Sequence, residues 1–201
     1  MKSDRLKGFA SAIIAIAFVA FVYGTYRAIQ KVDRTQVSTS EGIYTSYIST
    51  SKKIEEKAYA LTQSCKNTLC KIQRLLDFAS NIPYNTNTFQ QKSPQKTIQD
   101  NFGDCDDKSN LLISMLHALG LEAYFVLVPE HIFVIVPLEN KWFFQHKKGL
   151  WINGRKYYIL ESTAKNSEVG FPLQYDIDEI AAIIEPFSNK KMVIENIEYK
   201  L

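Results

Sequence analysis

Three patterns of apolar residues follow one another along the 201-residue chain. A continuous apolar run comes first, at residues 8–26. Apolar residues spaced by three and four positions follow from about residue 44 to residue 80, and they predict two amphipathic helices. The β-branched and aromatic runs EAYFVLV and HIFVIV come after residue 120 and predict strands. Because the predicted helices precede the predicted strands, the order indicates an α+β domain.

A central helix is predicted by the stretch NFGDCDDKSNLLISMLHALG at residues 101–120. Asp104 stands at the N-cap position, Asp107 three residues later can reach back to the cap, and Gly120 stands where a C-cap is expected. Cys105 lies in the first turn, on the apolar side of the helix. That side is formed by Leu111, Leu112, Met115, Leu116 and Leu119. The pattern therefore predicts a helix that packs on the sheet and carries a cysteine at its N-terminus.

Turn signals divide the rest of the chain. Two prolines and a cluster of Asn and Thr in NIPYNTNTFQQKSP predict a loop before the central helix. Asn153 and Gly154 give the two-residue signal of a tight hairpin, so the strands are expected to form an antiparallel meander. The segments DIDEIAAIIEPF and KKMVIENIEY predict one more helix and a last strand.

The apolar run at residues 8–26 predicts an uncleaved membrane anchor. It holds 19 uncharged residues, close to the roughly 20 that cross a bilayer as a helix. A cleaved signal peptide and a buried soluble helix are the alternatives, but the run exceeds the usual signal-peptide core and no small-x-small cleavage site precedes the polar flank. We therefore expect an anchor at residues 1–34, a polar linker at residues 35–43 and one domain at residues 44–201.

The orientation of this single-pass anchor is less clearly indicated. Equal numbers of basic residues flank the run on its two sides, so the positive-inside rule gives a near tie. In SCKNTLC, Cys65 and Cys70 either close a short disulfide loop or are buried small residues. A disulfide together with one free thiol suits an oxidising compartment. Together these signals favour a domain outside the cytoplasm.

The basic excess of the chain is confined to the N-terminal flanks of the apolar run. The formal net charge is +3, yet residues 1–34 hold six of the 24 Lys and Arg and two of the 21 Asp and Glu. The remainder carries 18 basic and 19 acidic residues, so no nucleic-acid partner is predicted. No CxxC or HxxxH spacing occurs, which argues against structural zinc.

Cys105 is the candidate nucleophile. At the first turn of a helix, the macrodipole and the unpaired backbone amides lower the pKa of a thiol and can hold an oxyanion. A working thiol also needs a base and a group that orients the base. His117 and His146 have the sequence context of surface residues, whereas His131 opens the HIFVIV strand. Glu161 ends the strand YYIL and is the candidate orienting carboxylate, although a lone glutamate there is usually solvated.

These segments resemble the transglutaminase-like superfamily, whose core carries a papain-like Cys-His-Asp arrangement. The resemblance covers roughly residues 72–164, and GDCDDK around Cys105 is its most specific motif. The SPQKT run, the strand HIFVIV and the segment YYILESTA also match. Tyr84 falls where such domains often carry a tyrosine. The resemblance implies a papain-like fold around the central helix.

The resemblance also implies roles for three residues. Cys105 is the expected nucleophile, His131 the general base and acid, and Glu161 the group that fixes the imidazole, in place of the family's usual aspartate. We expect a membrane-anchored cysteine peptidase or amidase that acts through a thioester on a protein or cell-envelope peptide. Transfer to an amine, as in a transglutaminase, and an inactive membrane-tethered binding module are the alternatives. Water is favoured because so small a domain has little material for a water-excluding amine channel.

No cofactor is required by this chemistry. One bacterial periplasmic branch of the superfamily depends on calcium and carries acids beside its cysteine, as Asp104 and Asp106 stand here. The resemblance therefore leaves calcium as an option, with helix capping and solvation as the competing uses of these carboxylates.

Overall fold

The computed structural model describes residues 13–25, 36–39, 42–86, 92–138 and 146–201. The chain divides into two compact units, Met1–Arg34 and Thr35–Leu201. In the first unit, residues 13–25 form helix α1. The second unit contains the residues of the candidate site.

Four further helices are described in the second unit: α2 (Lys52–Thr62), α3 (Thr68–Asn81), α4 (Pro94–Asp100) and α5 (Cys105–Ala118). Helices α2 and α3 confirm the two amphipathic helices predicted before residue 80. Helix α5 confirms the predicted central helix. Helix α4 was not predicted, because its seven residues are too few to show a helical period. Its start is nevertheless marked in the sequence by the N-cap Ser93 and by Pro94 in the first turn.

The described strands form two antiparallel sheets. Strand β1 (Gln36–Thr39) pairs with β2 (Gly42–Thr45). The larger sheet has seven strands in the order β8-β7-β3-β4-β6-β5-β9. They are β3 (Tyr124–Val128), β4 (His131–Pro137), β5 (Gly149–Ile152), β6 (Arg155–Leu160), β7 (Ala182–Glu185), β8 (Lys190–Lys191) and β9 (Ile197–Lys200). A single 3-10 turn, Ile177–Glu179, lies between β6 and β7.

Two tight turns join antiparallel neighbours, but the predicted meander is wrong, because β6 rather than β5 pairs with β4. Pro129 and Glu130 connect β3 to β4, and Glu130 takes a left-handed conformation with φ 55°. Asn153 and Gly154 connect β5 to β6, with φ of 49° and 81°. Positive φ at both central residues matches the right-handed twist of the flanking strands, which is why an Asn-Gly pair is favoured there.

Helix α5 packs on one face of the large sheet, as predicted. Its apolar residues Leu111, Leu112, Met115 and Leu116 are fully buried. They belong to one hydrophobic cluster with Ile132, Val134 and Leu160, which alternate along β4 and β6. Residues of the opposite parity, including Phe133 and Ile159, form a second cluster on the other face. The sheet is therefore buried on both faces, with the helices on one side and the C-terminal segments on the other.

The helix predicted in DIDEIAAIIEPF is wrong. Asp176 caps only the single 3-10 turn, and the next apolar residues form strand β7. Strand β7 pairs with β3 at Ile184↔Phe125 and Ala182↔Leu127. Sheet pairing and burial on both faces outweigh the helical spacing of this segment. The strand predicted in KKMVIENIEY is present as the two short strands β8 and β9.

The expected linker at residues 35–43 overlaps the first two strands. Residues 36–39 and 42–45 are paired with each other. The predicted membrane span at residues 8–26 extends past the described helix α1 at both of its ends. Within the part of the chain that the structure describes, no helix is both long enough and apolar enough to cross a bilayer.

Candidate active site

The N-terminus of α5 presents Cys105. Asp104 is the N-cap, and its Oδ1 accepts the backbone N–H of Asp107 at 3.1 Å, as predicted. Asp107 does not reach back to the cap, because its Oδ1 accepts the backbone N–H of Lys92 at 2.6 Å. The preceding residue Gly103 is fixed by two backbone hydrogen bonds, to the carbonyl of Pro83 and from the N–H of Asn85. The start of α5 is therefore held by the loop that precedes α4.

His131 and Glu161 are brought together by the pairing of β4 with β6. Val134 lies opposite Leu160 in this ladder. Extending the register by one pair places Glu161 opposite Phe133, on the face that also carries His131 two residues earlier. His131 Nε2 lies 2.9 Å from Glu161 Oε2. The predicted base and its orienting carboxylate thus form a direct pair.

The Glu161 carboxylate is held in a polar pocket at the end of β6. Its Oε1 accepts the backbone N–H of Thr163 at 2.9 Å and the hydroxyl of the same residue at 2.6 Å. Burial opposes ionisation, but hydrogen bonds from His131 and Thr163 lower the pKa of Glu161 overall. An ionised carboxylate only accepts hydrogen bonds, so the proton of this pair is on His131 Nε2. The other ring nitrogen, Nδ1, makes no hydrogen bond among the described residues.

Cys105 lies beside the start of β4, half-buried against the helix-side core. The backbone N–H groups of Ile132 and Asp106 favour the thiolate, and the thiol donates to Asp106 Oδ1 at 4.0 Å. Burial, followed by the charges of Asp106 and Asp104, nevertheless raises the pKa of Cys105 to about 12. The expectation that the helix N-terminus lowers the thiol pKa is therefore wrong for this protein. Removal from water and two neighbouring carboxylates outweigh the helix dipole and the two N–H donors.

Residues 55–151, nearly half of the chain, match the sequence model of the transglutaminase-like superfamily. Over this stretch the chain is similar to the transglutaminase-like superfamily. The matched region includes Cys105 and His131, and it ends before Glu161. A search of the curated proteins found no match.

Solved structures with a similar fold include three from bacteria. A candidate cysteine protease from Cytophaga hutchinsonii has a TM-score of 0.45 and 20% identity, and the match covers 78% of this chain and 52% of that one. A candidate protease from Parabacteroides distasonis has a TM-score of 0.45 and 14% identity, over 71% of this chain and 27% of that one. LapG from Legionella pneumophila has a TM-score of 0.38 and 18% identity, over 62% and 78%. The chain spans about half of the first structure's length and about a quarter of the second's.

Asp104 and Asp106 are the carboxylates that the resemblance links with calcium. Asp104 uses its Oδ1 to accept a backbone N–H at the start of α5. No group of three or more His, Cys, Asp or Glu side chains that could hold a metal ion occurs among the described residues. Calcium takes six or more oxygen ligands, so these two carboxylates alone would not complete its coordination.

Two tyrosines lie close to the thiol. Tyr84 forms an isolated backbone bridge with Gly103, and its side chain is 52% exposed. Tyr175 stacks on the His131 ring, with centroids 6.0 Å apart and 19° between planes. Burial is the largest cause that raises the pKa of each phenol. Sequence reasoning identified Tyr84 from the resemblance but missed Tyr175, whose contact with His131 joins segments far apart in the chain.

A buried lysine supports the first turn of α5. Lys108 is 1% exposed, and its Nζ donates to the backbone carbonyls of Ile82 at 2.8 Å and Ser80 at 3.2 Å. Burial lowers the pKa of Lys108 to about 8, against the opposing charge of Glu161. Lys108 stands four residues before Leu112, so the helical period already placed it on the apolar side of α5. Lys108 was not among the predicted site residues.

The remaining histidines and cysteines lie away from this arrangement. His117 and His146 are both exposed, as their sequence contexts indicated. The His117 ring contacts Phe187 at a centroid distance of 4.0 Å. Cys65, which follows α2, and Cys70, in the first turn of α3, form a disulfide. Since all three cysteines are described, Cys105 is the free thiol of the chain.

Proposed function

We propose that the protein is a cysteine hydrolase, a peptidase or amidase that acts through Cys105, His131 and Glu161. The observation that carries the proposal is the 2.9 Å contact between His131 Nε2 and Glu161 Oε2. This contact leaves His131 Nδ1 free to take a proton. Cys105 lies next to the His131–Ile132 backbone at a helix N-terminus, where a nucleophile and oxyanion donors come together.

The raised thiol pKa determines the order of the proton transfers. Cys105 is neutral in the resting protein, so His131 removes its proton as the sulfur attacks an amide carbonyl. The sulfur–carbon bond forms, and the carbonyl oxygen becomes an oxyanion facing backbone N–H groups at the start of α5. His131 then gives the proton to the departing amine as the carbon–nitrogen bond breaks. Water, deprotonated by the same imidazole, hydrolyses the thioester and restores the thiol.

Water is the proposed acceptor because a residue beside the largely buried thiol is exposed to solvent. Tyr84 is 52% exposed. Transfer to an amine requires exclusion of competing water, and the exposed Tyr84 favours access of water to the acyl-enzyme. Transglutaminase-type transfer is therefore the less favoured reaction. The two are distinguished by mass spectrometry of products formed with and without an added primary amine.

A catalytically inactive binding module is the second candidate. The observation in its favour is the thiol itself, which has a pKa of about 12 and makes no hydrogen bond with His131 among the described residues. For such a site to be catalytic, a bound substrate has to bring the Cys105 sulfur and the His131 imidazole within hydrogen-bond distance. An active enzyme reacts with a substrate-like electrophile, whereas an inactive module does not.

Labelling with a peptidyl electrophile tests the proposal. We expect the wild-type protein to be labelled once per chain and Cys105→Ala to be unlabelled. The double variant Cys65→Ser/Cys70→Ser is the matched control, because it removes two cysteines and retains Cys105, and its labelling is expected to equal that of the wild type. Labelling that persists in Cys105→Ala, or that is absent from the wild type, overturns the proposal.

We further propose that residues 8–26 anchor the protein in a membrane, with the domain outside the cytoplasm and a protein or cell-envelope peptide as substrate. The 19 uncharged residues of this run and the Cys65–Cys70 disulfide support the proposal. Retention in the membrane pellet after alkaline carbonate extraction is expected. Replacing Ile16 with Asp should release the protein, and release of the wild type would contradict the anchor.

A further inference from the structure

Tyr175 makes a ring contact with the candidate base. It belongs to the segment between β6 and the 3-10 turn Ile177–Glu179, and its ring lies nearly parallel to that of His131. The same ring stacks on Phe133, with centroids 6.4 Å apart and 15° between planes. His131 and Phe133 are themselves neighbours on one face of β4, 6.4 Å apart. The three aromatic rings thus pack against one another in a cluster at the start of β4.

This cluster lies beside the hydrogen bond between His131 and Glu161, because the His131 ring belongs to both. Glu161 follows the last residue of β6, and extending the register by one pair places it opposite Phe133. The side chains of His131 and Glu161 are only 16% and 11% exposed. Burial, followed by the charge of Glu161, raises the pKa of the Tyr175 phenol, and the Tyr175 ring contacts the His131 ring directly. The pair is therefore shielded from water on the side where Tyr175 lies.

The contact is made by the ring rather than by the hydroxyl. The Tyr175 hydroxyl makes no hydrogen bond among the described residues, whereas its ring makes both stacking contacts. A phenylalanine at this position would preserve the ring contacts. An alanine would remove them and open the His131–Glu161 hydrogen bond to water.

We propose that Tyr175 is a positioning residue whose ring holds the His131 imidazole on Glu161 and excludes water from their hydrogen bond. The catalytic part of this inference rests on the proposed function, because it assumes that His131 is the base. A charge-assisted hydrogen bond is stronger and better oriented when water cannot compete for its donor and acceptor. Since Glu161 accepts the hydrogen bond from Nε2, the orientation of the imidazole ring determines the direction in which Nδ1 points relative to the Cys105 thiol.

Proton NMR of the resting protein tests, without any activity measurement, whether the His131–Glu161 hydrogen bond is shielded from water. We expect a low-field resonance from the His131 Nε2 proton, protected from exchange with water, in the wild type and in Tyr175→Phe. In Tyr175→Ala this resonance should broaden or disappear through exchange, while circular dichroism shows a folded protein. If the alanine variant does not fold, Tyr175→Leu serves in its place. Equal exchange rates in the wild type and the folded variant without the ring would overturn the proposal.

Kinetics test the consequence for catalysis. Tyr175→Ala should lower kcat at least about tenfold through loss of alignment, with KM changed by less than about twofold because the ring is proposed to hold the base rather than the substrate. Tyr175→Phe should restore kcat to nearly the wild-type value. An increase in KM at constant kcat would assign Tyr175 to substrate binding and overturn the positioning role.

The two experiments separate this inference from the proposed function. An inactive wild-type protein with a protected Nε2 proton would support the shielding of the His131–Glu161 hydrogen bond by Tyr175 and would contradict the proposed hydrolase activity. An active protein with an unprotected Nε2 proton would support the proposed hydrolase activity and would contradict the shielding by Tyr175.

Discussion

His131 Nε2 donates to Glu161 Oε2 across 2.9 Å, and both side chains are largely buried. The sequence places these residues on different strands, and only the antiparallel pairing of β4 with β6 makes them neighbours. The contact fixes which imidazole nitrogen carries the proton and which is left for the thiol. The chemistry proposed for this site depends on that assignment.

Substitution of Glu161 tests the orienting role. Glu161→Gln replaces an obligatory acceptor by an amide, which can donate to the ring and favour the wrong tautomer. We expect kcat to fall by roughly 100-fold to 10,000-fold. Glu161→Asp is the matched control, since it keeps the charge that the superfamily usually provides with aspartate, and it should retain more activity than the glutamine variant. Equal kcat for all three proteins would contradict the role.

The pH dependence of Cys105 alkylation tests the resting protonation state. A thiol with a pKa of about 12 is almost wholly protonated at neutral pH. The alkylation rate with iodoacetamide should therefore rise about tenfold per pH unit between pH 7 and 10 without a plateau. Asp106→Asn removes a charge that raises the thiol pKa, so this variant should react faster at every pH. A wild-type plateau below pH 9 would show a preformed thiolate.

The lowered pKa of Lys108 predicts that the protein becomes more stable as the pH rises. Burial lowers its pKa to about 8 in the folded protein, below the value near 10.4 of an unfolded chain. Between these values the unfolded state binds the extra proton, so the free energy of unfolding of the wild type increases with pH. Relative to Lys108→Met, the wild type should gain about 1–2 kcal/mol between pH 8 and 10 in urea denaturation. A difference in the free energy of unfolding between the two proteins that does not change with pH would contradict the lowered pKa of Lys108.

Gly103 is required because no side chain fits beside α5. A Cβ at this position would lie 2.8 Å from Asp107 Cβ and 3.1 Å from Thr97 Cγ2. Gly103→Ala should lower the free energy of unfolding by about 1–3 kcal/mol through overpacking, and it should also reduce kcat because Cys105 follows two residues later. Gly24→Ala, where no atom lies within 4 Å of the added Cβ, is the control. Thermal unfolding and turnover measured together would show both effects, and an unaffected Gly103→Ala would contradict the packing.

The disulfide gives a prediction that does not involve the candidate site. Titration of the native protein with a thiol reagent should find one free thiol, and titration after reduction in denaturant should find three. The free energy of unfolding of Cys65→Ser/Cys70→Ser should be about 2 kcal/mol lower than that of the wild type, because the lost disulfide closes a short loop. Three titratable thiols in the native protein isolated without reductant would contradict the disulfide.

Local signals in the sequence predicted much of this fold. The N-cap at Asp104, the apolar side of α5 and the Asn153-Gly154 hairpin each depend on residues close together in the chain, and each is present. Strand β7 was missed because its helical spacing is local, whereas its pairing with β3 is not.

The candidate site was predicted less completely, for the same physical reason. Sequence position and family resemblance selected Cys105, His131 and Glu161, and the fold brings the last two into contact. The Cys105 pKa could not be predicted, because it depends on how far the folded chain removes the thiol from water. Tyr175 gave no signal, since its role arises only from stacking on a strand distant in sequence.

The most direct test of the hydrolase is the detection of a covalent intermediate on Cys105. The protein is mixed with a cell-envelope peptide extract, quenched in acid at early times and analysed by intact-mass and peptide-mapping mass spectrometry. We expect an acyl adduct on the peptide that contains Cys105, removable by hydroxylamine as a thioester is, and absent from Cys105→Ala. Substrate cleavage without such an adduct, or an adduct that persists in Cys105→Ala, would contradict the proposed mechanism.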